Sequence, residues 1–276
     1  MSRRLPAGSA SFTQEALKII GHDPISHLTW NDAFGSTGKG VKVAIIDSGV
    51  DKTHPAVKGQ VHGYVAMHSG PEGVTYNIEP HEDSHGHGTA CAGIIHSIAP
   101  DCEIYSVKVL SQWLTSSGAA FAAGLRWAID NGMHVCNLSL GTTKKEFFEV
   151  LHELADLAYF RRTVLVTAAN NLPIPSFPSV YASVISVASH SEPDVYRYYY
   201  NPEPPVEFGA SGIDVRVAWK NHQWITATGN SFAAPHITGL VARILGKYPD
   251  LTPFQVKTIL CALAANVEQE NGGQLE

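Results

Sequence analysis

The stretch V-K-V-A-I-I-D-S-G-V-D, residues 41–51, decides the fold class. From Val41 to Ile46 it is apolar except for Lys42, and it stops at Asp47-Ser48-Gly49, a turn signal. An apolar run of this length, without polar alternation, reads as a strand covered on both faces, as strands of parallel sheets are. Asp47 then stands at the strand's carboxyl end, the edge of an open α/β sheet where ligands and chemistry collect. A plain turn or cap residue would suit the same position.

Outward from this strand the pattern alternates. A short helix is predicted over Phe12 to Ile20, and His54 to His81 reads as a hairpin or irregular excursion. Strand C-E-I-Y-S-V-K-V-L, residues 102–110, precedes a helix from Gly118 to Asn131 that Asn131-Gly132 stops. H-V-C-N-L-S-L-G is a strand ending at Gly141, followed by a helix over Lys144 to Phe160 and the strands T-V-L-V-T-A-A-N-N and S-V-I-S-V-A. Tyr196 to Pro205 reads as a surface loop or edge segment, its tyrosines packing rather than binding. Strand and helix in alternation with short links predict an α/β fold of three layers, a mostly parallel central sheet with helices on both faces.

With 276 residues, 44% apolar and 16% charged, the chain is sized for one large core. The net charge of -6 comes from scattered acids, so neither nucleic acid nor membrane is an expected partner, and no apolar run is long enough to span a bilayer. The N-terminus has no apolar stretch of the secretory kind. Cys91, Cys102, Cys136 and Cys261 are irregularly spaced and read as reduced, mostly buried thiols. These features fit a cytoplasmic protein or the catalytic part of a longer precursor. Residues 1–27 read as an N-terminal extension, 28–265 as the folded domain and 266–276 as a disordered tail.

Two stretches carry candidate chemistry. H-E-D-S-H-G-H-G-T-A-C-A-G, residues 81–93, has the residue types of a metal site, but no H-x-x-x-H pair falls on a helix and no cysteine is suitably spaced. His87 at the start of a helix is the alternative, as a general base; a solvated polar loop is the third. G-N-S-F-A-A-P-H-I-T-G, residues 229–239, delivers Ser231 to a helix N-terminus, where free N–H groups favour developing negative charge, with Pro235 in the first turn. A helix cap would look similar. Asn171 closes a further strand. A serine nucleophile needs an imidazole to take its proton, a carboxylate to hold the imidazole, and a donor for the oxyanion.

In the order Asp, His, Ser, the motifs A-I-I-D-S-G-V-D, H-G-T-A-C-A-G, N-L-S-L-G, A-A-N-N and G-N-S-F-A-A-P-H-I-T-G resemble the subtilisin-like serine peptidases, or subtilases, from about Leu28 to Leu263. The resemblance implies a triad of Asp47, His87 and Ser231, with Asn171 as oxyanion donor. It implies an extended peptide or unfolded protein substrate bound between Leu114, Thr115, Ser116 and Ser139, Leu140, Gly141. Ala168 and Ala169 should wall the pocket for the residue before the scissile bond. The uncharged L-P-I-P-S, residues 172–176, suggests an apolar residue there. By the same resemblance Phe177-Pro178 is expected cis.

Departures from the pattern carry expectations of their own. G-I-I-H-S-I-A-P-D, residues 93–101, lacks the loop that wraps calcium in many relatives, so calcium is not expected there; a weaker calcium site elsewhere stays open, and no other cofactor or metal is expected. The N-terminal segment is too short for the family's inhibitory prodomain. Asn170 replaces a glycine and is expected to tolerate positive φ. Asn230 replaces a threonine, which puts a minor oxyanion contact in question. Phe232 replaces an oxidisable methionine, so peroxide should spare activity, and Cys91 stands where thiol-containing relatives have theirs. Same-fold alternatives are leader cleavage or macrocyclising transpeptidation in peptide maturation; alternatives of another class are a metal-dependent hydrolase and a catalytically silent binding module.

Overall fold

The computed structural model describes residues 28–57 and 59–267. The helix expected at 12–20 and the tail from 268 lie outside them. In chain order the elements are α1 (Trp30–Phe34), β1 (Lys42–Asp47), β2 (Val61–Gly70), β3 (Gly73–Asn77), α2 (His87–Ile98), β4 (Glu103–Lys108), α3 (Gly118–Asp130), β5 (Val135–Leu138), α4 (Phe148–Phe160), β6 (Val164–Ala168), β7 (Ile185–His190), β8 (Tyr199–Tyr200), β9 (Phe208–Ser211), β10 (Val215–Trp219), β11 (Gln223–Ala227), α5 (Asn230–Lys247) and α6 (Pro253–Ala262).

Among the described residues β1 to β9 form one sheet in the order β3-β2-β4-β1-β5-β6-β7-β9-β8, and β10 and β11 form a separate pair. Every pairing from β2 through β9 is parallel, and only the edge strands β3 and β8 run antiparallel. β1 lies inside the sheet with β4 and β5 on its two sides. Its side chains alternate faces. Val43 and Ile45 join a core with α1, α2, α5 and α6, whereas Ala44 and Ile46 join the core under α3 and α4. That is why the sequence there is unbrokenly apolar, and the α/β architecture of helices on both faces of a mostly parallel sheet follows.

The same alternation aims Asp47, two residues beyond Ile45, at the face covered by α2 and α5. Those two helices approach almost to backbone contact: a Cβ on Gly239 of α5 would lie 2.8 Å from Cβ of Ile98 in α2. Gly88 is tighter still, since a Cβ there would meet the Gly49 carbonyl oxygen at 2.0 Å. Small residues thus seat the start of α2 directly on the end of β1.

Several details differ from expectation. The chain from Val215 to Ala227 forms the β10–β11 hairpin, which the sequence reading left without structure. Pro235 lies in the second turn of α5 rather than the first. Asn266 accepts from Tyr200 N at 2.8 Å and donates to Tyr200 O at 2.7 Å, so packing continues past residue 265. Tyr198 is buried and its hydroxyl donates to Leu260 O at 2.9 Å, the packing role expected of that segment. Phe177–Pro178 is cis, as is Pro204–Pro205.

Candidate active site

Asp47 is completely buried at the end of β1. A carboxylate taken from water needs partners, and Asp47 has them: Ser48 N donates to Oδ1 at 2.7 Å, and His87 Nδ1 lies 2.9 Å from Oδ1 and 2.8 Å from Oδ2. His87 is the first residue of α2 and is itself 6% exposed. With Nδ1 held by the carboxylate, the ring presents Nε2 as its free acceptor. Burial pushes the imidazole towards its neutral form, but the Asp47 charge, the hydrogen bond to it and the charge of Asp83 together outweigh that, and its pKa stands above the ordinary histidine value.

What fixes α2 in place is Asp83. Its N-cap residue is Gly86, at φ 115°, which has no side chain to offer. Asp83 Oδ1 instead accepts from Gly86 N at 2.8 Å, His85 N at 3.0 Å and Ser48 Oγ at 2.8 Å, while Oδ2 accepts from Thr89 N at 2.8 Å and Thr89 Oγ1 at 2.7 Å. Ser48 Oγ in turn accepts from Gly88 N at 3.2 Å. The carboxylate therefore caps the helix from outside its own sequence register and ties it to the β1 turn.

Ser231 sits at the second position of α5, where backbone N–H groups have no intrahelical partner. Its carbonyl is exceptional for a reason four residues on. Pro235 has no N–H to give it, so Ser231 O accepts from Ser139 Oγ at 2.8 Å and from Cys91 Sγ at 3.6 Å. Ser139 Oγ also accepts from Asn137 Nδ2 at 2.9 Å, and Asn137 Oδ1 accepts from Thr238 Oγ1 at 3.0 Å. This buried chain locks the serine turn to β5.

Asn171 lies beside it. A Cβ on Gly229 would be 3.3 Å from Ser231 Oγ and 3.7 Å from Asn171 Nδ2, so the two groups flank one small gap. Asn171 Oδ1 accepts from Asn230 N at 2.9 Å, which leaves its NH₂ as the available donor. Asn230 braces the same loop: Nδ2 donates to Ala169 O at 3.2 Å and Asn170 O at 3.1 Å, and Oδ1 accepts from Ser189 N and Ser189 Oγ, both at 2.9 Å. Its side chain is fully engaged and has nothing left for an oxyanion. Asn170 is absent from the positive-φ residues; its Oδ1 accepts from Leu172 N at 2.9 Å, a local turn that replaces the expected left-handed geometry.

His87, Ser231 and Asn171 line one cavity of about 440 Å³, together with Leu114, Thr115, Ser116, Ser139, Leu140 and Gly141. A smaller one of about 160 Å³ is walled by Ala168, Ala169, Asn170, Asn171 and Ser176 and shares Ser139, Leu140, Gly141 and Ser231. All the sequence-predicted site residues thus meet at the carboxyl edge of the sheet. The Leu114–Ser116 rim is built as a turn: Ser111 N donates to Thr115 O at 2.9 Å and Leu114 N to Ser111 O at 3.0 Å, and Leu114 has φ 54°.

The histidine-rich stretch does not converge. His81 Nε2 pairs with Ser106 Oγ at 2.9 Å, His85 packs edge-on to Trp219, and Asp83 is occupied by the α2 cap. Among the described residues the metal-capable grouping is Asp47, His87 and Cys91. Burial and the nearby Asp47 charge hold the Cys91 thiol well above the ordinary value, which favours the protonated thiol over the nucleophilic thiolate. The four cysteines are free, and Cys261 alone among them is partly exposed.

A carboxylate–imidazole pair beside a serine at a helix start, in a parallel sheet of this order, defines a class. The chain belongs to the subtilase family, whose domain model matches residues 38–274, and it is a subtilisin-like serine protease. It is 32% identical over 250 residues to subtilisin DY of Bacillus licheniformis, covering 85% of this chain and 87% of that one. To subtilisin Savinase of Lederbergia lenta it is 30% identical over 248 residues, covering 86% and 88%. The match to the minor extracellular protease Epr of Bacillus subtilis (strain 168) is 31% over 236 residues and spans 81% of this chain but 35% of that protein. The solved structure of a cold adapted subtilisin-like serine proteinase superposes with a TM-score of 0.67 at 25% identity, covering 83% of this chain and 84% of that one.

Proposed function

We propose that this chain is an endopeptidase in which Ser231 Oγ attacks the peptide carbonyl, His87 Nε2 takes its proton and returns it to the leaving amine, and Asp47 holds the imidazole and stabilises its charged form. Asn171 Nδ2 and the Ser231 N–H stabilise the oxyanion. The observation that supports this best is the buried Asp47–His87 contact at 2.8 Å, which holds His87 at the edge of a cavity that Ser231 and Asn171 also line. The substrate is an extended peptide or unfolded protein, with the residue before the scissile bond in the smaller pocket. No formally charged side chain lines that pocket, which favours an apolar residue. Residues 94–100, I-I-H-S-I-A-P, contain no carboxylate, and Ala99 N already bonds Ile95 O at 2.8 Å at the end of α2, so turnover is expected without calcium at this turn.

The test is the pre-steady state. An activated peptide ester should give a burst of leaving group equal to the enzyme concentration, followed by slower deacylation, and Ser231→Ala should remove the burst while keeping the fold. A burst that survives in Ser231→Ala, or one abolished by a chelator, would overturn the assignment.

A further inference from the structure

The larger of the two cavities carries one charge that catalysis does not use. Beyond His87, Ser231 and Asn171, its lining is apolar (Leu110, Leu114, Phe121, Leu140) or hydroxylic (Thr115, Ser116, Ser117, Thr142), with the single exception of Lys144. No carboxylate lines it.

Lys144 is fixed at its base and free at its tip. Thr142 N donates to Phe177 O at 3.0 Å and Phe177 N to Thr142 O at 2.8 Å, anchoring the segment to the neighbouring loop. Lys144 N donates to Thr142 Oγ1 at 3.2 Å, and Lys144 O accepts from Phe147 N at 3.1 Å. The side chain is exposed and makes no ion pair among the described residues, although Glu146 and Glu149 follow it closely in sequence.

The chain as a whole carries a net charge of -6, so its general field repels anionic peptides at long range. A preference for acid in this groove must therefore come from a local cation. Both cavities share Ser139, Leu140, Gly141, Asn171 and Ser231. In the subtilase substrate mode of the proposed function, the residue before the scissile bond fills the smaller cavity and the upstream residues run between Leu114–Ser116 and Ser139–Gly141, which line the larger, advancing about 3.3 Å per residue. From this arrangement we infer that Lys144 is a specificity-determining residue that selects peptides with an aspartate or glutamate a few residues upstream of the cleaved bond. The inference rests on the peptidase reading above. The apolar floor of Leu110 and Phe121 accepts the methylenes of such a side chain while its carboxylate meets the ammonium at the rim.

The experiment uses a peptide series identical except for Glu, Gln or Lys at each of the four upstream positions, cleaved at low ionic strength by the wild type, Lys144→Gln and Lys144→Glu. The quantity read is the ratio of kcat/KM between peptides within one variant, so a general loss of activity cancels. In the wild type Glu should exceed Gln about two- to fivefold at one position, the range of an exposed ion pair, and the ratio should shrink as salt is added. Lys144→Gln should abolish the preference and Lys144→Glu should turn it towards Lys. Equal rates for Glu and Gln at every position, or a Glu preference that persists in Lys144→Gln, would overturn the inference. Cleavage of the Gln peptides by the wild type in those cases would leave the peptidase reading standing; cleavage of none would remove both.

Discussion

At His87 two opposing effects meet in one ring. Burial lowers its pKa, and the Asp47 charge, the Asp47 hydrogen bond and Asp83 raise it by more. A general base must be neutral to accept the serine proton, so kcat/KM should fall with decreasing pH along a limb centred above the ordinary histidine value of about 6.5. Asp47→Asn removes the two direct effects that raise the pKa, so its limb should move to lower pH, with turnover reduced about 10⁴-fold as in comparable triads. A limb that stays put in Asp47→Asn would mean that another group is being titrated. Asn171→Ala should cost about 10²- to 10³-fold in kcat, a range set by a member of the same family rather than derived from this structure. Asn230 acts one step back. Asn230→Ala strips support from the Ala169 and Asn170 carbonyls and from Ser189. We expect a loss of about 1–3 kcal/mol in unfolding free energy and a fall in kcat larger than any change in KM. A variant with wild-type kcat would show that the brace is not needed to aim Asn171.

Among the elements, α2 and α5 carry the chemistry because their starts abut the ends of strands. Gly88 makes that possible for α2 by admitting the Gly49 carbonyl where a side chain would collide, and Gly239 lets α5 lie close against Ile98 of α2. Both helix starts are held from a distance: α2 is capped by Asp83, and the Ser231 carbonyl of α5, left without a donor by Pro235, is held by the Ser139–Asn137–Thr238 chain. Asp83→Ala should therefore destabilise the protein by about 2–3 kcal/mol, more than an ordinary cap because buried backbone donors lose their partner. It should also lower kcat/KM through movement of His87. Urea denaturation and peptide hydrolysis measure the two, and a drop in stability without loss of activity would show that α2 holds its position without the cap.

Across the molecule, the most legible strands are those with a buried apolar run, β1, β5, β6 and the start of β7, which betrays them without knowledge of their neighbours; β4, half-exposed on one face, was legible from its β-branched residues. The β10–β11 hairpin was not legible. Its turn, around Asn221 at φ 59° and His222 at φ 57°, has no Asn-Gly or Asp-Gly signal, and its outer face keeps Trp224 exposed. The triad residues could be read because the letters of nucleophile, base and acid are chemically constrained. The roles of Asp83, Asn137, Asn230 and Thr238 could not, since each acts on backbone or side-chain groups that come near only after folding. Ser139 was assigned to substrate contact, and its side chain turns out to hold the Ser231 carbonyl as well.

The central claim is that one serine, activated by one buried acid–imidazole pair, does the chemistry. A fluorophosphonate probe mapped by mass spectrometry tests it most directly. Labelling of Ser231 alone, unaffected by chelator, lost in Ser231→Ala and slowed about 10⁴-fold in Asp47→Asn, is the expected result. Folded wild-type protein that takes up no label, or takes it up at a residue other than Ser231, would contradict the account.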